Sequence, residues 1–221
     1  MARAGFFLSF EGLDGAGKST QVAALGAALR ADGYDVITVR PNDTSLGEMV
    51  TGAVLQHQLG TSLQPWTEAL LFNAGRVQLL AEVILPALER GTVVVADRFV
   101  DSTLAYQGGG RGVDEQALLR LHRDCCDGIW PDLTLYLDLD HSVAAHRQHA
   151  EQLPLDRIEG APDDFHARVH ATFDRLAAEQ PGRIVRVDAS RPALVVSQDV
   201  LRLVDERLRS VPTAPRPAVL R

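Results

Sequence analysis

The sequence predicts a three-layer α/β sandwich, a five-stranded parallel sheet with helices on both faces. Two observations predict it. Short apolar runs rich in β-branched residues alternate with longer segments of helical periodicity, which is the pattern of βαβ units. At the first passage from run to helix lies a glycine-rich loop, Gly12-Leu13-Asp14-Gly15-Ala16-Gly17-Lys18-Ser19.

The runs are Phe6-Phe7-Leu8-Ser9-Phe10, Val36-Ile37-Thr38-Val39, Thr92-Val93-Val94-Val95-Ala96, Leu133-Thr134-Leu135-Tyr136-Leu137 and the weaker Ile184-Val185-Arg186-Val187. Each is too short for a helix and reads as a buried strand. Residues 19–31 are helix-prone, and Asp32-Gly33 stops them. Further helices are expected at 46–59, 65–90, 114–127, 142–149, 163–180 and 193–209. In the long helix Leu70, Ala74, Val77, Ala81, Ile84 and Leu88 step by three and four, a stripe expected to face the core. Gly108-Gly109-Gly110-Arg111-Gly112 follows no strand and reads as a mobile turn. Residues 1–209 form one expected domain. The tail, 210–221, carries Pro212, Pro215 and Pro217 without periodicity and is expected to be disordered.

Composition sets limits on function. The 221 residues are 46% hydrophobic and 23% charged, which excludes collagen, coiled coil and wholesale disorder. Against 22 Lys and Arg stand 29 Asp and Glu, a net charge of -7, so nucleic acid is not an expected partner. Cys125 and Cys126 are neighbours and cannot build a disulfide framework. The first apolar run is too short for a secretory signal, and no run nears the roughly 18 apolar residues of a membrane span. A cytoplasmic protein without a membrane partner is expected. His166 and His170 stand four apart with no third ligand and are expected to be solvated; Cys125 and Cys126 read as partly buried thiols.

The loop at residues 12–19 fits G-x-x-x-x-G-K-[ST], with a strand before it and a helix after it. Its glycines let successive backbone N–H groups turn onto a phosphate. The helix N-terminus favours the negative charge. Lys18 reaches the β- and γ-phosphates, and the Ser19 hydroxyl can ligate Mg²⁺. The loop is thus of the P-loop NTPase kind, with Gly12, Asp14, Gly15, Ala16, Gly17, Lys18, Ser19 and Thr20 expected around ATP. Taken alone it leaves GTPase, ATPase, motor and kinase open. No N-K-x-D-type base-reading motif is present, and the chain is short for a motor, so an enzyme moving phosphate between nucleotides is the simplest choice.

Several stretches, in order, resemble thymidylate kinase of the bacterial type. They are the opening Phe10-Glu11-Gly12-Leu13-Asp14-Gly15-Ala16-Gly17-Lys18-Ser19-Thr20, then Leu71-Phe72-Asn73-Ala74-Gly75-Arg76, then Asp97-Arg98-Phe99 with Asp101-Ser102-Thr103-Leu104-Ala105-Tyr106-Gln107-Gly108. Pro131-Asp132-Leu133-Thr134-Leu135-Tyr136-Leu137-Asp138 and Leu155-Asp156-Arg157-Ile158-Glu159 complete the match, which runs from about Phe6 to Leu208. The resemblance implies ATP plus dTMP giving ADP plus dTDP, on the route to dTTP, in a homodimer with a mobile lid at about 147–161. By resemblance Gln107 and Ser102 or Thr103 face thymine, Tyr106 lies against the deoxyribose and crowds a 2′-hydroxyl, and Asp14 sits near the 3′-hydroxyl.

The residues can be read on their own terms. Phe72 and Arg76 are four apart and about 200° round the helix from the apolar stripe. Phe72 could stack on a base and Arg76 could donate to its carbonyl oxygen; alternatively Phe72 packs under a helix and Arg76 joins an ion pair. Asp97-Arg98 ends the third strand, where ligands of open α/β sheets collect. Asp97 could bind Mg²⁺ and Arg98 clamp the acceptor phosphate, or the two could be a strand-end ion pair.

Two departures from the family pattern stand out. Where its second loop reads Arg-Glu-Pro-Gly-Gly-Thr, this chain has Val39-Arg40-Pro41-Asn42-Asp43-Thr44, so the role of that Glu cannot be carried over. A cis Arg40-Pro41 bond is one option for this loop. The phosphate loop has Gly15 where eukaryotic relatives place arginine. The bacterial lid supplies arginines instead, often as Arg-x-Arg-x-Arg, but here residues 146–154 keep fewer. Arg147 and Arg157 remain as candidate catalytic arginines beside Lys18 and Arg98, with His149 a possible stand-in. Arg157 could instead pair with Asp156 or Glu159. The rival readings are a kinase for another nucleotide or deoxynucleoside, and a nucleotide-binding module without catalysis.

Overall fold

The computed structural model describes residues 5–56, 63–150 and 155–210. Five strands form one parallel sheet in the order β2-β3-β1-β4-β5: β1 (Phe6–Glu11), β2 (Val36–Val39), β3 (Val93–Asp97), β4 (Leu133–Asp138) and β5 (Ile184–Asp188). The central strand, β1, pairs with β3 from Phe6 opposite Val93 to Phe10 opposite Asp97, and with β4 up to Glu11 opposite Tyr136. The expected strands therefore all form, and the sheet is parallel as expected.

Both faces of the sheet are covered, which is why the runs read as continuously apolar rather than alternating. Phe7, Leu8, Phe10, Val94, Val95, Leu133, Leu135 and Leu137 are fully enclosed. Phe6, Leu8 and Phe10 pack on one side against α1 (Lys18–Ala31), α8 (Asp163–Glu179) and α9 (Ala193–Ser210). Phe7 and Val94 pack on the other side against Leu79, Leu80, Ile84 and Leu88 of the long helix and against Phe99.

Between them run α2 (Ser45–Leu55), α3 (Pro65–Leu79), α4 (Leu85–Glu89), α5 (Val100–Thr103), α6 (Glu115–Cys125) and α7 (His141–Ala150). Thr44 caps α2 by accepting the Gly47 N–H, and Asp114 caps α6 by accepting the Ala117 N–H. α3 and α4 are joined through a π-helical stretch, Leu80–Ile84. Pro86 explains it: a proline has no N–H for the carbonyl four residues back, so the ladder widens just before it. By length and composition Pro65–Glu89 could cross a membrane. In this fold Ala69, Leu79, Ile84 and Ala87 on it are buried.

Three expectations are corrected. The glycine run at 108–112 is not a simple turn, because Leu104–Gly110 is a second π-helical stretch continuing α5, in which the Arg111 N–H donates to the Tyr106 carbonyl. Its glycines are there for packing. A Cβ on Gly109 would lie 2.0 Å from Thr172 Oγ1, and one on Gly110 2.4 Å from the Phe165 ring, both on α8. The apolar stripe of the long helix is buried at Ile84 and Leu88, with Val77 half-buried against the same core. Leu70 is 50% exposed, and Ala74 and Ala81 are exposed as well. The inward face of α3 is instead Glu68, Ala69, Asn73, Gly75 and Leu79. No peptide bond among the described residues is cis, so Arg40-Pro41 is trans. The tail beyond Ser210 and the lid residues 151–154 lie outside the described residues.

Candidate active site

A cleft of about 1010 Å³ opens at the carboxyl ends of β1 and β3. It is large for one small ligand. Asp14, Gly15, Ala16, Gly17, Lys18, Ser19 and Thr20 line it, as do Phe72, Arg76, Asp97, Arg98, Ser102, Thr103, Tyr106, Gln107 and Arg147. Of the expected site residues, only Gly12 and Arg157 do not.

The phosphate loop is held close to the sheet. Gly12 adopts φ +133, and a Cβ there would meet the Leu137 carbonyl oxygen at 2.5 Å, so no other residue fits. Gly17 begins α1 without a side-chain cap, which leaves the first-turn N–H groups facing the cleft. Lys18 is buried, donates to the carbonyls of Gly12 and Leu13, and lies 3.5 Å from Asp14. Burial lowers its pKa, as does the charge of Arg98. The Ser19 hydroxyl donates to Asp97 at 2.8 Å. A hydroxyl and a carboxylate beside a phosphate cradle are hard oxygen donors of the kind Mg²⁺ takes.

Arg98 organises the middle of the cleft. Its guanidinium donates to the Gly12 carbonyl, the Ser102 hydroxyl, Asp14 and the Tyr106 hydroxyl. The Tyr106 hydroxyl in turn donates to Asp14 at 3.1 Å. Burial alone would raise the Asp14 carboxyl; the charges of Arg98 and Lys18 outweigh it and hold it well below the usual range. Burial pushes the Tyr106 phenol up, so it stays a neutral donor. Behind Arg98, Glu11 is fully buried, and burial together with nearby Asp101 pushes its carboxyl up to about 7. Asp101 is itself enclosed in a bidentate pair with Arg183, and Thr134 donates to it, which ties α5 to β4.

On the far side of the cleft, Phe72 is half-buried on α3. Arg76 donates to Asn73, to the Phe99 carbonyl and to Thr103. Both residues line the cleft, and the Arg76 partners just named are an amide, a carbonyl and a hydroxyl rather than a carboxylate. Gln107 is buried and donates to Glu68 at 2.8 Å.

Arg157 is placed differently from expectation. Its guanidinium donates to Glu68 and to the Val54 carbonyl at 2.9 Å, and its backbone N–H to the Leu55 carbonyl. Its ion-pair partner is thus on α3, not the adjacent Asp156. Glu68 lies 89 residues away in the chain and its side chain is 1% exposed, which no local spacing could reveal. Arg147 does reach the cleft and donates to the Ala189 carbonyl at 3.2 Å. The His149 side chain lies outside the described residues.

Several lining residues were not expected from sequence: Arg40, Pro41 and Asn42 on one side, and Ser190, Arg191 and Pro192 after β5 on the other. The only sequence signal for the second group is its position after a strand end. His166 is buried rather than solvated, stacked on His141 with 4.7 Å between ring centres. His170 lies between Asp138 and Asp174, a trio close enough to hold a metal. Arg186 pairs with both carboxylates and Tyr136 donates to both, so the cluster is satisfied as an ion-pair network. Cys125 is exposed and Cys126 buried, where burial pushes its thiol up to about 11.

Comparison with known proteins agrees with this geometry. The family model described as thymidylate kinase matches residues 10–200. The chain is 45% identical over 205 residues to a thymidylate kinase of Thermomicrobium roseum, covering 92% of this chain and 96% of the relative. It is 44% identical over 205 residues to one of Pelotomaculum thermopropionicum, covering 92% and 94%. The crystal structure of thymidylate kinase from Ehrlichia chaffeensis superposes with a TM-score of 0.73 at 29% identity, over 91% of this chain and 99% of that one. Matches of that extent, over a cleft built in this way, make the chain a member of the thymidylate kinase family.

Proposed function

We infer that the chain transfers the γ-phosphoryl group of ATP to dTMP, giving ADP and dTDP. The observation that carries this reading is the junction at Arg98, where one guanidinium bridges the phosphate loop at Gly12 and the acceptor-side pair of Asp14 and Tyr106. An oxygen of the dTMP phosphate forms the new P–O bond. The bond from the γ-phosphorus to the bridging oxygen breaks, and ADP leaves with the electron pair. The attacking phosphate is anionic at neutral pH, so no base is required. Catalysis is positioning plus charge compensation.

Lys18 and Arg98 supply that compensation, and Arg147 is the lid arginine best placed to add to it. Gly12, Asp14, Gly15, Ala16, Gly17, Lys18, Ser19 and Thr20 hold ATP. Phe72 stacks on thymine while Arg76 donates to it. Ser102, Thr103, Tyr106 and Gln107 complete the acceptor side. Ser19 and Asp97 would hold Mg²⁺, which when bound compensates charge on the donor phosphates. Residues 1–209 act as one kinase domain, with a lid at about 147–161.

We also propose a cytoplasmic homodimer without membrane or nucleic-acid partners. Its support is the outward apolar surface of α2 and α3, where Met49 is 68%, Leu70 50% and Trp66 43% exposed.

The test is the initial rate of ADP release with dTMP, dUMP, UMP, dCMP and dGMP at equal concentration. dTMP should be best and dUMP weaker, with UMP and dGMP near background. If dCMP or dGMP were preferred, the base-site reading would be wrong, and the altered loop at Arg40-Pro41-Asn42 would be the first suspect.

A further inference from the structure

Glu11 ends β1, one residue before the phosphate loop, and its side chain is enclosed. A buried carboxylate is expensive unless hydrogen bonds satisfy it. Here both oxygens are engaged. One accepts the Phe99 backbone N–H at 2.7 Å, and the other accepts the Ser102 hydroxyl. Glu11 does not itself line the cleft.

The residue next to Phe99 is Arg98, which has φ +74. That is the left-handed region, which a non-glycine residue occupies only where its surroundings hold it there. The chain is gripped on each side of it. The Arg98 N–H donates to the Phe10 carbonyl at 3.0 Å, and the Phe99 N–H donates to Glu11. Ser102 extends the grip to the guanidinium, since its oxygen accepts from Arg98 at 3.0 Å while its hydrogen goes to Glu11.

We propose that Glu11 is a positioning residue of the acceptor-phosphate site: by clamping the Phe99 N–H and the Ser102 hydroxyl, it holds Arg98 in the backbone conformation that aims its guanidinium into the cleft. The proposal rests on Arg98 being the residue that binds the acceptor phosphate, as inferred above.

A residue that only stabilises the fold would affect all ligands alike. A positioning residue for Arg98 affects only ligands that carry a phosphate there. The measurement is equilibrium binding of dTMP and of thymidine, by calorimetry, to the wild-type chain, Glu11→Ala, Glu11→Gln, Arg98→Ala and the double variant Glu11→Ala/Arg98→Ala. Loss of a well-aimed guanidinium–phosphate contact weakens dTMP binding by about tenfold or more in Glu11→Ala, with thymidine changed by less than about twofold. The Glu11→Gln amide oxygen still accepts the Phe99 N–H, so dTMP affinity recovers to within about threefold of wild type. In the Arg98→Ala background, Glu11→Ala adds less than about twofold, because the two act as one unit. Circular dichroism checks folding; if Glu11→Ala does not fold, Glu11→Asp, whose shorter side chain draws the carboxylate back from the Phe99 N–H and the Ser102 hydroxyl, carries the same dTMP-to-thymidine comparison. Equal loss of dTMP and thymidine, or a full Glu11→Ala effect in the absence of Arg98, overturns the clamp while leaving the kinase reading intact. A wild-type chain that bound no dTMP would overturn the acceptor reading and the clamp with it.

Discussion

Replacing Arg157 by alanine separates two roles that an arginine at the lid base can have. If it covers the transferred phosphoryl group, its loss lowers kcat and spares the fold. If it secures Glu68, its loss lowers stability and mostly spares kcat. The contacts favour the second. Glu68 is 1% exposed, and its remaining partners after the change would be Gln107 at 2.8 Å and Arg111 at 3.3 Å. Leaving a buried charge without any partner costs about 3–5 kcal/mol, and the surviving Arg111 should reduce that to about 2 kcal/mol. The Val54 carbonyl also loses its donor, for about 1 kcal/mol more. A total of about 3 kcal/mol in a chain of this size lowers Tm by roughly 6–12 °C. Thermal denaturation followed by circular dichroism, with kcat from ADP release well below Tm, gives both readouts. The expected result is that fall in Tm with kcat within about tenfold of wild type. Arg157→Lys should recover only part of the stability, because a point charge cannot serve Glu68 and the Val54 carbonyl together. An unchanged Tm with kcat reduced by about a hundredfold would refute this reasoning and return Arg157 to the phosphoryl group.

Other outcomes follow from the same geometry. Lys18→Ala should keep its fold but lose about a hundredfold or more in kcat, as when other preorganised charges are removed; near-normal turnover would sink the phosphate-loop assignment. The His122 Nε2–H donates to the Ile129 carbonyl at 2.9 Å, and burial, with the charge of Arg76, depresses the His122 pKa to about 4. The unfolded chain takes up that proton near pH 6.5 and the folded chain does not, so stability is full above 6.5 and falls toward pH 4, by about 2 kcal/mol at pH 5. His122→Gln should flatten the loss of Tm between pH 7 and pH 5, and an identical pH slope in the variant would count against this account. Met49→Glu with Leu70→Glu puts charge on the exposed apolar surface of α2 and α3; sedimentation should show a dimer in the wild type and a monomer in the variant, and a monomeric wild type would rule out that interface.

The sheet was legible because its strands announce themselves locally. Val93-Val94-Val95-Ala96 is short, β-branched and ended by two charged residues, so its own residues mark it as a buried strand. The phosphate loop was legible for the same reason, and so was the position of Asp97 and Arg98 at a strand end. What escaped depends on partners far along the chain. Gly109 and Gly110 look like turn residues until Thr172 and Phe165 are seen where their side chains would be. Arg157 follows Asp156 directly, yet its guanidinium pairs with Glu68 on α3. Leu70, Ala74 and Ala81 have the right period for a core face but turn outward, because the inner face of that stretch is Glu68, Ala69, Asn73, Gly75 and Leu79. Apolar periodicity shows that a helix face is to be covered; it does not show whether the same chain or another copy covers it.

The π-helical stretch at Leu104–Gly110 makes this part of the chain sensitive to length rather than to composition. Each residue in a helix turns it by about 100°, and a π turn holds one more residue than an α turn. Deleting Gln107 or Gly108 would let the ladder close as an ordinary α-helix, and everything before the deletion would rotate by about a quarter-turn against everything after it. Tyr106 could then keep Asp14, or Gly109 and Gly110 could keep their fit against α8, but not both. Lineages of this chain should therefore vary the residues of this segment more freely than they vary its count, with insertions and deletions collecting in the loops on either side.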